Sequence, residues 1–374
     1  MSAGLGETVA GMAAATPPDR DRYVDFLRAF SIATVVLGHW FIAIVVWRDE
    51  YIKVVNVVGV TRGLWLLTWV LQVMPLFFFV GGFSNAKTYE SMRRRGHGYG
   101  EFMRSRMARL WRPTLVFVAV WTVVEVLLHV FDVGRGGLLR GTFLPFGPLW
   151  FLLVYAGVVA ATPLMLRLHR LGGIVVVTVL TALVALADVA RFALEVPGVG
   201  WANLALVWLL VHQAGFFYED GTLVAAGPRA HVSMAIAGLA GLIALTNLGV
   251  YPRSMVGTDV ERLSNMNPPT LCIVALACWL IGLAMLLRER ANRWLQKPRP
   301  WQAVVAANGM IMTVFLWHLT GYLVTILALH PLGLGRSLDS TPEWWLERPV
   351  WLLVPVIPLA LLVALFGRFE RGAR

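Results

Sequence analysis

Charge is scarce in this sequence. Asp, Glu, Lys and Arg make up 14% of its 374 residues and hydrophobic residues 58%, where a soluble domain carries about 25% charged residues. So little polar surface excludes a soluble enzyme or a cytosolic binding module. Cysteine is nearly absent too. Cys272 and Cys278 lie six residues apart in one apolar segment, a spacing that suits neither a zinc site nor a disulfide framework, and no metal is expected. The chain has no P-loop, no GxSxG serine elbow and no HExxH helix. The glycines of GHGYG at 96–100 lack the strand and helix context of a nucleotide motif and read as loop. Residues 1–19 lack the basic start and apolar core of a secretory signal. They are small, polar and proline-containing, so a disordered cytoplasmic tail is expected over 1–22.

Long apolar runs are abundant. About 20 such residues cross a bilayer as a helix, and ten stretches qualify: 24–47, 63–84, 113–131, 149–166, 173–190, 201–217, 230–249, 269–287, 308–330 and 349–367. The expectation is an all-α, polytopic integral membrane helical bundle of about ten transmembrane helices. One membrane domain covers 23–368, and 369–374 forms a cytoplasmic tail. The net charge of +11 follows from topology rather than from a nucleic-acid partner. With the N-terminus inside, 21 of the 32 Lys and Arg fall on the inner side and 10 on the outer, with Arg28 inside a span. That bias puts both termini in the cytoplasm, in the cell membrane. The longest outer loop, 331–348, holds Trp344 and Trp345, expected as interfacial anchors.

The first span, DFLRAFSIATVVLGHW at 25–40, contains Arg28 and His39, where an ionisable side chain costs roughly 2.5–3.5 kcal/mol on insertion scales. Eleven residues at about 100° each come within about 20° of three full turns, so the two share one face, ~16 Å apart along the axis. Asp25 lies near the same stripe and can pair with Arg28 at i, i+3. For Arg28 the plainer reading is snorkelling to the interface, and for His39 a packing role. The depth of His39 favours a general acid or base.

Between the second and third spans, NAKTYESMRRRGHGYGEFMRSRMARLWRP carries Lys87 and seven arginines. Contact with anionic membrane lipids would suit any such loop. Arg106 and Arg109, with Arg112 three residues further, share a helical face and could clamp a polyphosphate. Other intramembrane candidates are Glu125 with His129, a structural pair or a proton relay; His212, near Glu219 and Asp220; His318, able to join a central polar pocket; and Asn85. Asn85 follows Gly81 and Gly82, which allow close helix approach or a break.

Taken together these stretches resemble the acyltransferase 3 family. DFLRAFSIATVVLGHW is similar to its first-span Arg-x10-His signature, and MPLFFFVGGFSNAK to its second span. RSRMARLWRP is similar to its Arg-x-x-Arg before proline, GPLWFLLVYAGVVAATPLM to its fourth span, and FLWHL to its late aromatic-x-His element. The matches run in order across about 22–330. The family's Asp-Gly-Leu-Arg start is Asp-Phe-Leu-Arg here, and the esterase-like outer domain of some members is not found after the last span.

The resemblance implies an O-acyltransferase that moves an acyl group, expected to be acetyl from acetyl-CoA, to a carbohydrate, lipid-linked or small-molecule acceptor at or across the membrane. A separate extracytoplasmic partner could finish the transfer. It implies Arg28 and His39 as the essential pair, with His39 as general base or acyl relay, and Arg106 and Arg109 on the phosphates of acyl-CoA. Asp25 would hold Arg28. A transporter or flippase would equally suit ten spans with buried ionisable groups, but leaves the arginine clamp unexplained. A scaffold leaves Arg28 and His39 as needless costs.

Overall fold

The computed structural model describes residues 10–48, 51–131 and 144–371. Helix α1 (Arg22–Ile42) starts where the Asp21 side chain accepts from Val24 N, an N-cap that satisfies one of the free first-turn amides. The expected span to residue 47 is helical only to Ile42. The β-branched residues that follow form β1 (Ala43–Arg48), paired antiparallel with β2 (Tyr51–Asn56). A pleated ribbon suits Ile and Val better than a helix does. Helices α2 (Trp65–Leu71), α3 (Met74–Arg94) and α4 (Tyr99–Val130) follow. The rest of the chain forms α5 (Leu149–Phe192), α6 (Asn203–Glu219), α7 (Gly227–Asn247) and α8 (Leu271–Leu295). After them come α9 (Pro298–Asn308), α10 (Ile311–Leu329), α11 (Pro342–Leu353) and α12 (Val356–Arg371).

Among the described residues, nine helical segments are long and apolar enough to cross a membrane. One of them, Leu144–Phe192, has 49 residues, or over ~70 Å of helix against a hydrocarbon core of ~30 Å. It makes two passes. Backbone angles at Gly172 are non-helical, and the contacts show a reversal there. Phe77 of α3 meets Phe151, and Glu90 further along α3 pairs with Arg170, so the first half of α5 runs parallel to α3. Beyond Gly172, Gly173 lies against Phe217 near the end of α6, while Asp188 holds Asn203 at its start. The second half therefore runs antiparallel to α6. The expected separate spans at 149–166 and 173–190 are these two halves, which gives ten passes among the described residues.

Glycine sets the tightest approach in the bundle. A Cβ at Gly82 would sit 2.0 Å from the His212 carbonyl oxygen, and one at Gly215 would sit 2.2 Å from that of Phe79. Helices α3 and α6 thus touch backbone to backbone, as small residues permit inside membranes. Helix α3 continues unbroken through Gly81 and Gly82.

Both described ends of the chain meet at one end of the bundle, here called the basic end. Residues 10–14 are helical and Ala13 is buried against Leu295, Trp301 and Val304. Trp301 Nε1 donates to Thr16 Oγ1 at 3.0 Å. Asp21 accepts from Tyr218 OH at 2.8 Å, and that hydroxyl accepts from Arg288 at the same distance. The second half of the expected disordered tail is therefore packed on the bundle, because its apolar residues find a groove beside α9; residues 1–9 lie outside the described residues. The expected tail from 369 is helical through Arg371, with 372–374 outside the described residues. Glu370 accepts from Met312 N, Thr313 N and Thr313 Oγ1 at 2.8–3.1 Å. A carboxylate there satisfies the orphan amides at the start of α10 and complements its dipole.

At the opposite end, the loop between α7 and α8 folds over the ribbon and α2. Trp69 Nε1 donates to Arg253 O at 2.8 Å, and Lys53 pairs with Asp259 at 2.7 Å. Asp188 anchors this loop by accepting from Tyr251 OH and Leu271 N. Of the two expected interfacial tryptophans, Trp345 is exposed, but Trp344 is buried with the Arg348 guanidinium 3.9 Å from its ring. Arg348 also donates to the Ala43 carbonyl at 3.1 Å, so Trp344 is packed inside the protein rather than at a lipid boundary.

Candidate active site

Asp25 and Arg28, one turn apart on α1, meet at 3.2 Å, and Asp25 also accepts from Arg20 at 2.5 Å. The Arg28 guanidinium is tied into the bundle rather than extended into solvent. Its other amino group donates to Ser84 Oγ on α3 at 2.6 Å. From α4, Arg106 donates to the carbonyl of the same Ser84 and, at 2.5 Å, to Thr88 Oγ1. Ser84 and Thr88, at i, i+4 on one helical face, thus hold two guanidinium groups side by side. Like charges so close repel unless an anion lies between them, and the arrangement suits a multidentate anion ligand.

These residues line a cleft of about 830 Å³ at the basic end, within the size range of small-molecule sites. Arg28, Arg106 and Arg109 contribute to its wall, with Asp25, Ser84, Thr88, Asn308 and Glu370. Arg112 is exposed and does not line it. The far wall of the cleft is apolar and aromatic: Ile32, Phe77, Phe151, Tyr155 and Phe315. The ring of Phe151 meets those of Phe77 and Phe315 edge to face, with centroids 5.0 and 5.4 Å away.

His39 stands above that wall, seven residues or ~10 Å of helix beyond Ile32. Its Nδ1 lies 2.9 Å from Nε2 of His318 on α10, and the rings stack with centroids 5.2 Å apart. His318 Nδ1 lies 2.6 Å from the Phe315 carbonyl. A carbonyl only accepts, so the hydrogen of His318 is on Nδ1 and its Nε2 carries a lone pair. His39 then donates from Nδ1, which leaves its own Nε2 as a lone pair. An imidazole fixed in this tautomer by a second group can take a proton or attack a carbonyl. Trp40 Nε1 donates to the His318 carbonyl at 3.1 Å, a second tie between α1 and α10.

The remaining sequence candidates fall elsewhere. Asn85 and His212 are both buried and meet at 3.1 Å between Nδ2 and Nε2, but they lie behind the cleft wall rather than on it. Glu125 is half-buried and His129 exposed, in the last turns of α4, and neither lines the cleft. They continue the four-residue stripe of Phe117 and Trp121 beyond the last buried residue of α4. Sequence reasoning missed Ser84, Thr88, Asn308 and Glu370. Asn308 donates to the Asp25 carbonyl at 2.9 Å, and only Ser84 and Thr88 carried a legible sign, their spacing of four next to a basic loop.

The fold and this site define a multi-pass membrane protein with an arginine-lined cleft at one end and a tautomer-fixed histidine pair above it. The acyltransferase domain of the acyltransferase 3 family matches residues 21–369. The chain belongs to that family and is a membrane O-acyltransferase. No curated protein and no solved structure is significantly similar to it.

Proposed function

We propose that the protein moves an acyl group, acetyl in the expected case, from acyl-CoA to a hydroxyl of a carbohydrate, lipid-linked or small-molecule acceptor. The basic end faces the cytoplasm of a cell membrane and admits the donor, and the acceptor approaches from the opposite end. The observation that carries this reading is the alignment of a guanidinium-lined cleft with a free imidazole nitrogen deeper in the same bundle. Between the diphosphate and the sulfur of CoA run about a dozen bonds, equivalent to four extended residues or ~14 Å. The rise from Arg28 to His39 is ~16 Å, so a diphosphate on Arg28, Arg106 and Arg109 brings the thioester to His39. Arg28 at that distance orients the donor and is too far to stabilise charge at the reacting carbonyl.

His39 Nε2 takes the proton of the acceptor hydroxyl as its oxygen attacks the thioester carbonyl. The carbon–sulfur bond breaks, and the departing thiolate recovers the proton from His39, leaving an ester and free CoA. His318 holds the Nδ1 proton of His39 throughout.

Purified protein in vesicles, supplied with labelled acyl-CoA and extracted acceptor, is the direct test. His39→Ala is expected to abolish transfer while CoA still raises the melting temperature. An Arg106→Ala, Arg109→Ala double variant is expected to lose that thermal shift. Full transfer by His39→Ala would overturn the assignment, and substrate movement independent of CoA would favour a transporter. Label retained on the protein without acceptor would replace direct transfer by an acyl-histidine relay. Mass spectrometry of surface glycans and lipids from cells with and without the gene would reveal the acceptor as a species lacking one acyl mass.

A further inference from the structure

The cleft has a second, smaller chamber at its mouth, about 580 Å³, bounded by the last turns of α3 and the turn into α4. The two spaces share Asp19, Lys87 and Thr88. Their charge differs. The main cleft mixes Arg and Lys with Asp21, Asp25 and Glu370, whereas the mouth chamber sets Lys87, Arg94, Arg95 and His97 against Asp19 as its single carboxylate. Asp19 is occupied by Lys87, which reaches its carbonyl at 3.0 Å and its carboxylate at 3.6 Å. His97 pairs with Glu101 at 2.9 Å, and Arg95 donates to Ser91 Oγ at 3.0 Å. Arg94 and Arg95 are exposed, and Thr88 and Ser91 line the same chamber. Mere retention on the inner side of a membrane needs no concave chamber continuous with the arginine cleft.

From Thr88, which holds Arg106, to Arg94 is six residues, ~9 Å of helix. A diphosphate in the main cleft and a second anion at Arg94 and Arg95 would be separated by that distance less the reach of the side chains. A phosphate on the ribose of a nucleoside diphosphate lies about six bonds from the diphosphate, equivalent to two extended residues or ~7 Å.

Resting on the acyl-CoA reading above, we infer that the mouth chamber binds the ribose 3′-phosphate of the donor through Arg94 and Arg95. The protein thereby selects 3′-phosphorylated nucleotide thioesters over carriers that lack this group. Two guanidinium contacts to a phosphate dianion should favour CoA over 3′-dephospho-CoA by about tenfold or more.

Binding of CoA and of 3′-dephospho-CoA is measured on the purified protein and on an Arg94→Gln, Arg95→Gln double variant, in vesicles of neutral and of anionic lipid. The wild type is expected to prefer CoA in both lipids. The double variant is expected to bind CoA no better than the wild type binds dephospho-CoA, with dephospho-CoA binding unmoved. Equal binding of the two ligands by the wild type overturns the inference and leaves the acyl-CoA reading standing. So does a variant that keeps the preference, or whose only change is its response to anionic lipid. If neither ligand binds, the acyl-CoA reading fails and the inference with it.

Discussion

His39 is held through one ring nitrogen and left open at the other, and the proposed mechanism makes His318 a positioning residue. His318→Ala is expected to lower kcat by about 10²-fold or more, with KM for acyl-CoA changed less than about twofold. His318→Gln should recover part of the loss, because its amide oxygen can accept from His39 Nδ1. Steady-state kinetics decide: a raised KM with unchanged kcat would place His318 in donor binding instead. Ser84→Ala should show the opposite pattern, a raised KM for the donor, since it releases Arg28. At this scale the sequence was readable where chemistry follows helical phase. Eleven residues put Arg28 and His39 on one face, and three put Arg106 and Arg109 together on the cleft wall. It was not readable where partners are far apart in the chain. His318 lies 279 residues from His39, and neither its lone-pair direction nor the Phe315 carbonyl that fixes it leaves a mark in local spacing.

Helix α3 carries Ser84 and Thr88, and what places them is its backbone contact with α6. Gly82→Ala and Gly215→Ala each drive a methyl group into a carbonyl and should cost about 3 kcal/mol, the upper range for overpacked cores. Their melting temperatures in detergent should fall by several degrees. Gly157→Ala is the control: no atom lies within 4 Å of its Cβ position, so helix propensity alone should stabilise it by up to ~1 kcal/mol. Destabilisation of the control as large as that of Gly82→Ala would contradict this packing. Gly81 and Gly82 were legible as a close-approach pair, although nothing local named α6 as the partner. The end of α1 was not legible, because in so apolar a chain hydropathy runs on without a break from helix into ribbon, and only β-branching marks the change. The reversal at Gly172 was visible as two separate stretches of span length, 149–166 and 173–190.

Across the whole molecule, ten passes among the described residues return the chain to the end where it began, and the lopsided loop charge is the argument for placing that end inside. Single cysteines placed at two exposed positions test this orientation: Arg299→Cys at the basic end and Val260→Cys at the other. An impermeant maleimide should label Val260→Cys in intact cells, and Arg299→Cys only after the membrane is opened. The reverse pattern would invert the donor side. Pass number and charge bias were legible because they sum over many residues. The packing of residues 10–21 and the cap supplied by Glu370 were not, since each depends on a groove that exists only once the bundle has formed.

The aromatic wall of Phe77, Phe151 and Phe315 has a consequence for the cell. A solvent-filled cleft that ran on to the histidine pair and out the far side would be a conductive path, and an energised membrane could not keep its ion gradient around it. On the proposed reading, three interlocked rings at the inner end of the cleft, parted only by the acyl arm of a bound donor, would keep the membrane electrically tight during transfer. The rings that border the donor's path on the way to His39 would therefore also act as insulation.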